Sequence, residues 1–252
     1  MLNAYLGNFH PDLEDALFQH VTEIKRNDKL AQIAVVTPSE HIQKRIKTLL
    51  TAEHGMCLMG VHFLTFHALS LKLYEEKYGL TSHMICDDFF FTEMIRYILG
   101  TGNTETNLFS NFAGTPEGCM AIWKSIRELR EARVDIGNVL EGIRDGLFEQ
   151  DDAEKLLALM AIYREFLQRK TDKNIIDYSD LPDIASGVVP SSVYLKKFNG
   201  IIYYGFYDLT QVQYDLLKSI VRQYPVTMFF PHAEDVPGAG KRSRGRARRI
   251  PH

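Results

Sequence analysis

Short apolar runs alternate with stretches of helical period along most of this chain, the pattern that builds a parallel sheet with helices on its faces. Ala4 to Leu6 reads as a first strand. Pro11 suits a helix start, and Leu13, Ala16, Leu17, Val21 and Ile24 follow at helical spacing, so Gly7 to His10 is predicted to be a strand-to-helix turn. Ile33 to Val36 reads as a buried strand, with Ser39 placed to cap a helix carrying Ile42, Ile46, Leu49 and Leu50. The arrangement repeats with strand Val61 to Leu64, turn Thr65 to His67, and a helix through Leu69, Leu73 and Tyr74. A fourth strand, Ile201 to Tyr204, precedes a helix with Val212, Leu216, Leu217, Ile220 and Val221 on one side, and Val226 to Phe230 is the fifth.

Between about Ile85 and Ala185 the period is helical throughout, clearest in DDFFFTEMIRYIL, AIWKSIRELREARV and DAEKLLALMAIYREFLQRK. The organisation expected is an α/β core from residues 1–84 and 186–235, interrupted by an all-helical subdomain over 85–185. Phe89 to Phe91 is expected in helix core. Residues 236–252 differ in kind: Gly and Arg replace apolar residues from Gly238 on, so this tail is expected to be disordered, serving either as a nucleic-acid-binding segment or as an end of non-native origin.

Composition narrows the class. With 45% hydrophobic and 24% charged residues in 252, the chain can build a sizeable core. No apolar run approaches the roughly 18–20 residues that span a bilayer, and the N-terminus lacks a basic stretch followed by an apolar one, so a cytoplasmic protein with no membrane partner is expected. Cys57, Cys86 and Cys119 form no CxxC pair and read as reduced thiols. The net charge of -3 hides an asymmetry, because six of the 29 Lys and Arg lie in the closing KRSRGRARRIPH, leaving 23 against 32 Asp and Glu elsewhere. Any DNA contact must therefore be local.

The turn after the first strand is where a phosphate-binding loop would lie, and it is chemically wrong for one. A working GxxxxGK[ST] loop needs glycines whose backbone wraps the phosphates, a Lys, and a hydroxyl on Mg2+. LGNFHPDLED keeps only Gly7, and Asp12, Glu14 and Asp15 would repel a triphosphate. Elsewhere, Asp177, Asp180 and Asp183 have a spacing that could hold a metal, but helix caps and solvated faces account for them better. Nine His include no HExxH, and no GxSxG is present, so no catalytic residue, metal or cofactor is expected.

Four segments resemble superfamily 1 helicases of the UvrD type. YGFYDLTQVQ follows its strand as DEFQDTNxxQ does, with Phe206, Asp208 and Gln213 at matching positions and Tyr204 and Gly205 where the Mg-holding Asp and catalytic Glu would stand. VVTPSEHIQKRIKTL is similar to the single-strand-contacting VTFTNKAAxEM, FLTFHALSLKLY to the segment containing TFHS, and IIDYSDL to hDFxDL. Within that superfamily the opening GNFHPDLEDALFQHV and YYGFYDLTQVQYDLLKSI look like the B subunits of AddAB-type helicase–nuclease complexes, whose nucleotide loop is already degraded. Those subunits are much longer, so a fragment or truncated gene is expected.

The resemblance implies a RecA-like, P-loop NTPase-like fold carrying an inserted helical subdomain, and a catalytically inactive helicase-like domain of a double-strand-break resection complex. Its partners would be single-stranded DNA or DNA ends and an active, AddA-like helicase–nuclease subunit. Thr37, Ser39, Thr65, Phe66 and His67 are the implied nucleic-acid contacts, with helix capping and turn packing as the alternative, and an exposed Phe66 beside His67 would stack on bases. Gly7, Tyr204, Gly205, Asp208 and Gln213 mark the degenerate ATP site, where Asp208 and Gln213 would fix the turn and helix after the fourth strand. Two other readings stay open: a protein-interaction scaffold without DNA affinity, and a fragment of an ATP-using helicase.

Overall fold

The computed structural model describes residues 2–79, 82–101, 104–232 and 248–251. The chain divides into two units, one of Met1–Lys77, Ile184–Leu209 and Tyr214–His252, the other of Tyr78–Asp183 and Thr210–Gln213.

The first unit is α/β with a mostly parallel sheet. Its strands are β1 (Leu2–Gly7), β2 (Ile33–Thr37), β3 (Val61–Thr65), β6 (Gly200–Tyr204), β7 (Val226–Pro231) and β8 (Arg248–Pro251), with the short β4 (Met84–Ile85) and β5 (Ile175–Ile176) lying in the second unit. The strand order is β3-β2-β6-β7-β1-β8, parallel except for β8. All five strands read from the apolar runs are present. Alternation along β2 and β6 sends Ala34, Val36, Ile201 and Tyr203 to one face and Ile33, Val35, Ile202 and Tyr204 to the other.

Helices cover both faces because both are apolar. On one side α1 (Glu14–Asn27) supplies Leu17 and Val21 and α2 (Glu40–Thr48) supplies Ile46. On the other, α3 (Phe66–Tyr78) contributes Leu69 and Leu73, α8 (Leu181–Val188) contributes Ala185, and α10 (Gln211–Val221) contributes Leu216, Leu217 and Ile220. A single turn, α9 (Val193–Lys196), packs Leu195 on the same face; Ser192 caps it, and the Glu76 carboxylate accepts from the Ser192 hydroxyl and the Val193 and Tyr194 amides.

Two local expectations change. Pro11 does not open the first helix: Phe9–Leu13 forms a wide π-type turn and α1 begins at Glu14. Of the tail from residue 236 on, 236–247 and 252 lie outside the described residues, and 248–251 pairs antiparallel with β1. The physical reason lies in β1, whose outer N–H and C=O groups offer an open edge on which an extended segment can pair through its backbone.

The second unit is helical, with α4 (Asp88–Gly100), α5 (Pro116–Glu131), α6 (Ile136–Arg144) and α7 (Gln150–Asp172). Phe91, Trp123 and Phe166 form its aromatic centre, Phe91 stacked on Trp123 at 4.9 Å. Of the aromatic run only Phe91 enters the core; Phe89 is 70% exposed and Phe90 lies at the surface, because three consecutive helix positions cannot share one face. The β4–β5 pair is parallel, and no periodicity announced it. Among the described residues no helix is long and apolar enough to cross a membrane.

Beside this centre lies a buried charge cluster. Arg130 bonds Asp177 and Asp180, and Lys170 bonds the same two carboxylates, with 3.0 Å from its Nζ to Asp177 Oδ2. Asp177 and Asp180 are therefore held by ion pairs, Asp177 buried and not on the solvated face or helix cap expected of it, while the exposed Asp183 pairs with Arg133. Burial raises the Asp177 pKa, but the Arg130 and Lys170 charges and their hydrogen bonds outweigh it and hold the carboxyl below its ordinary range. A depressed carboxyl pKa gives stability that is complete above the unfolded value and is lost as pH falls below about 4.

Trp123, the chain's one tryptophan, is fully buried in this unit, so its fluorescence follows the helical unit alone. Arg130→Met is expected to destabilise that unit by about 3–5 kcal/mol, since it leaves buried carboxylates undercompensated. Urea unfolding followed at Trp123 at pH 7, and again at pH 3 where wild type should be weakened, checks both; a loss under about 1 kcal/mol would show the cluster to be dispensable.

Candidate functional site at the carboxyl edge of the sheet

Parallel pairing of β1, β2, β3, β6 and β7 brings their carboxyl ends to one edge, where turns between strands and helices collect. The first of these turns is built around Gly7. GxxxxGK[ST] counted from Gly7 puts Asp12, Leu13 and Glu14 where the second glycine, the Lys and the hydroxyl would be. Leu13 is fully buried in the core under α1. The backbone donors are turned inward: the Asn8 amide and side chain donate to Asp12 Oδ2 at 3.3 and 3.0 Å, the Leu13 amide donates to Asn8 O, and the Glu14 amide donates to Pro11 O.

Glu14 is only 3% exposed. The Arg45 fork from α2 reaches both its oxygens, Nε and Nη2 each at 2.7 Å, and His10 Nδ1 lies 2.7 Å from Oε2. Burial alone would raise the carboxyl pKa, but the hydrogen bonds and charges of Arg45 and His10 prevail and keep it below the usual carboxylate range. The third Arg45 arm pairs with Glu53.

The other residues that the resemblance implied for an ATP site lie at the end of β6. Tyr204 is fully buried, its ring set edge-on to Phe9 at 5.4 Å and tilted against Phe229 at 5.9 Å. Its hydroxyl has no hydrogen-bond partner, and burial pushes its pKa well above the ordinary tyrosine value. Gly205 follows at φ +80°, and a Cβ there would meet Phe9 Cε2 at 3.2 Å and Ile42 Cδ1 at 3.4 Å. The Phe9 ring of the first turn thus packs against the β6 end at both Tyr204 and Gly205. Asp208 is exposed beyond them, and Gln213 Oε1 accepts from the Thr210 amide, holding the start of α10.

Next along the edge, Thr37 is fully buried and donates its hydroxyl to Ser39 O, while Ser39 Oγ accepts from the Ile42 amide and caps α2. Thr65 does the same for α3 by accepting from the Ala68 amide at 3.0 Å. Phe66 is not an exposed ring: at 5% exposure it packs edge-on to Phe206 at 6.2 Å, drawn inward because position 66 opens the apolar face of α3. His67 is at the surface, and partial burial lowers its imidazole pKa. The exposed aromatic of this edge is Tyr207, 74% accessible, on the turn that Gly205 and Phe206 anchor.

Sequence reading had not marked Phe9, Arg45 or Tyr207. Arg45 lies 31 residues from Glu14, a pairing without local signal. As chemistry, the described edge offers caps, a buried ion pair and the exposed rings of His67 and Tyr207. Among the described residues no group of three or more His, Cys, Asp or Glu is placed to hold a metal ion.

A family model described as "ADDB, N-terminal" matches residues 7–234. No curated protein matches the chain.

Two substitutions test the plugged turn. Gly205→Ala should cost about 1–2 kcal/mol, from the positive φ and the contact with Phe9. Tyr204→Phe removes a buried unpartnered hydroxyl and should leave stability unchanged or slightly higher. Thermal unfolding of the two variants decides: a clear loss for Tyr204→Phe would mean that the hydroxyl has a partner in solution.

Proposed function

The chain belongs to the AddB N-terminal family, and from that premise we propose that it is a nucleotide-independent, helicase-like domain that guides single-stranded DNA beside an active partner. Membership gives it a part in DNA repair within a helicase–nuclease complex, and implies a partner of the AddA type. The finer reading is that the α/β unit is RecA-like in descent and that its ATP site is defunct. One observation carries it: where phosphates and Mg2+ would sit, the chain places its own groups, Phe9 against Tyr204 and Glu14 against Arg45.

Physical chemistry supports that reading. Phosphoryl transfer depends on positioning and on cationic stabilisation of the phosphates. Here the Lys position is the buried Leu13, the hydroxyl position is an anion, and the acidic pair after the strand is Tyr204 and Gly205. An aromatic ring and a carboxylate in that space exclude a triphosphate by volume and by charge.

The strand contact is assigned to the same carboxyl edge, through surface groups of the turns that hold Ser39, Thr65 and His67. Thr37 and Phe66 shape these turns from below. Because the edge has few cations, its binding would be weak and would rest on the complex for affinity.

ATP titration of the purified chain should give no saturable binding and no hydrolysis, while fluorescence anisotropy with a labelled single strand should show salt-weakened binding. Micromolar ATP binding would overturn the reading. Absence of strand binding at low salt, both alone and with an AddA-type partner, would leave a scaffold role instead.

A further inference from the structure

We propose that the Glu14 carboxylate is a resident anion filling a phosphate-type cradle made by Arg45, His10 and the amino end of α1, so that the site is closed by the chain itself. This rests on the reading that the nucleotide site is defunct, and it adds what the site would bind if vacated: the phosphate group, whether of inorganic phosphate or of a nucleotide.

The geometry is that of a bound oxyanion. Both carboxylate oxygens are used, Oε1 by Arg45 Nε and Oε2 by Arg45 Nη2 and His10 Nδ1, each at 2.7 Å. An arginine fork gripping two oxygens is the arrangement that also grips phosphate. Glu14 is the first residue of the 14-residue α1, where the helix dipole favours an anion. It is nearly buried while its two partners reach the surface, His10 side chain at 70% and Arg45 at 37% exposure. The cradle therefore opens outward and its anion comes from within. Its place in the fold is near such a site, since Glu14 is the seventh residue after the strand-ending Gly7, where the GxxxxGK[ST] pattern puts the Mg2+-binding hydroxyl next to the phosphate-binding Lys.

Glu53 also pairs with Arg45 and would swing onto it if Glu14 were removed, so the test neutralises both. Wild type, E53Q, E14A/E53Q and E14A/E53Q/R45M are compared by thermal unfolding with inorganic phosphate, ATP, or chloride at matched ionic strength. Wild type and E53Q, with Glu14 in place, should not respond. E14A/E53Q should gain a Tm rise of about 2–4 °C at a phosphate concentration some fivefold above its Kd, and the triple variant should lose it. A further rise with ATP over inorganic phosphate would assign the cradle to nucleotides; equal rises would assign it to phosphate itself. No response in E14A/E53Q, or one that survives R45M, overturns the proposal.

Should E14A/E53Q not fold, R45M and E14Q/R45M decide. A resident anion predicts that the double variant is the more stable, because it removes the buried charge that R45M strands. Equal or lower stability of the double overturns the proposal. ATP binding by wild type would sink this inference together with the proposed function, whereas a silent E14A/E53Q beside an ATP-blind wild type would sink this inference alone.

Discussion

Parallel pairing of strands buried on both faces is the constraint from which the α/β unit follows. Every residue of β2 and β6 is buried, so helices must cover each side, and each parallel neighbour must be reached by a crossover. That geometry delivers the ends of β1, β2, β3, β6 and β7 to one edge. Gly7, Thr37, Thr65 and Tyr204 lie far apart in the chain yet share that edge, because parallel strands share direction.

What fills the edge is decided by size and charge. In a nucleotide-binding loop the backbone amides point outward and the space between the turn and the acidic strand is left for phosphate and metal. Here the amides of Asn8, Leu13 and Glu14 are satisfied within the turn, and the Phe9 ring packs edge-on to Tyr204. The Glu14 and Arg45 pair then joins the turn to α2 by charge.

The helical unit is organised by a different force. Its aromatic centre of Phe91, Trp123 and Phe166 is nonpolar, and beside it the IIDYSDL segment places Asp177 and Asp180 against Arg130 and Lys170. Satisfying four charges, two of them buried and two half-buried, in one arrangement fixes the segment's register against α5 and α7 more narrowly than apolar contact would, because any slip strands a charge. The cost is sensitivity to acid.

The sequence by itself determined the five parallel strands, the covering helices, the helical stretches of the second unit and the caps at Ser39 and Thr65, because period and capping chemistry are local. It also determined which groups the nucleotide loop lacks, since a missing Lys is visible without coordinates. Only the tertiary structure decided what stands in their place. That Phe66 turns inward while Tyr207 faces out depends on how α3 and the β6 turn seat on the sheet. That Glu14 is held by Arg45, Asp177 by Arg130, and Tyr204 by Phe9 depends on pairings across 31 to 195 residues, which leave no trace in any local pattern. The residues of an edge are written in the chain; their neighbours are set only when the strands align.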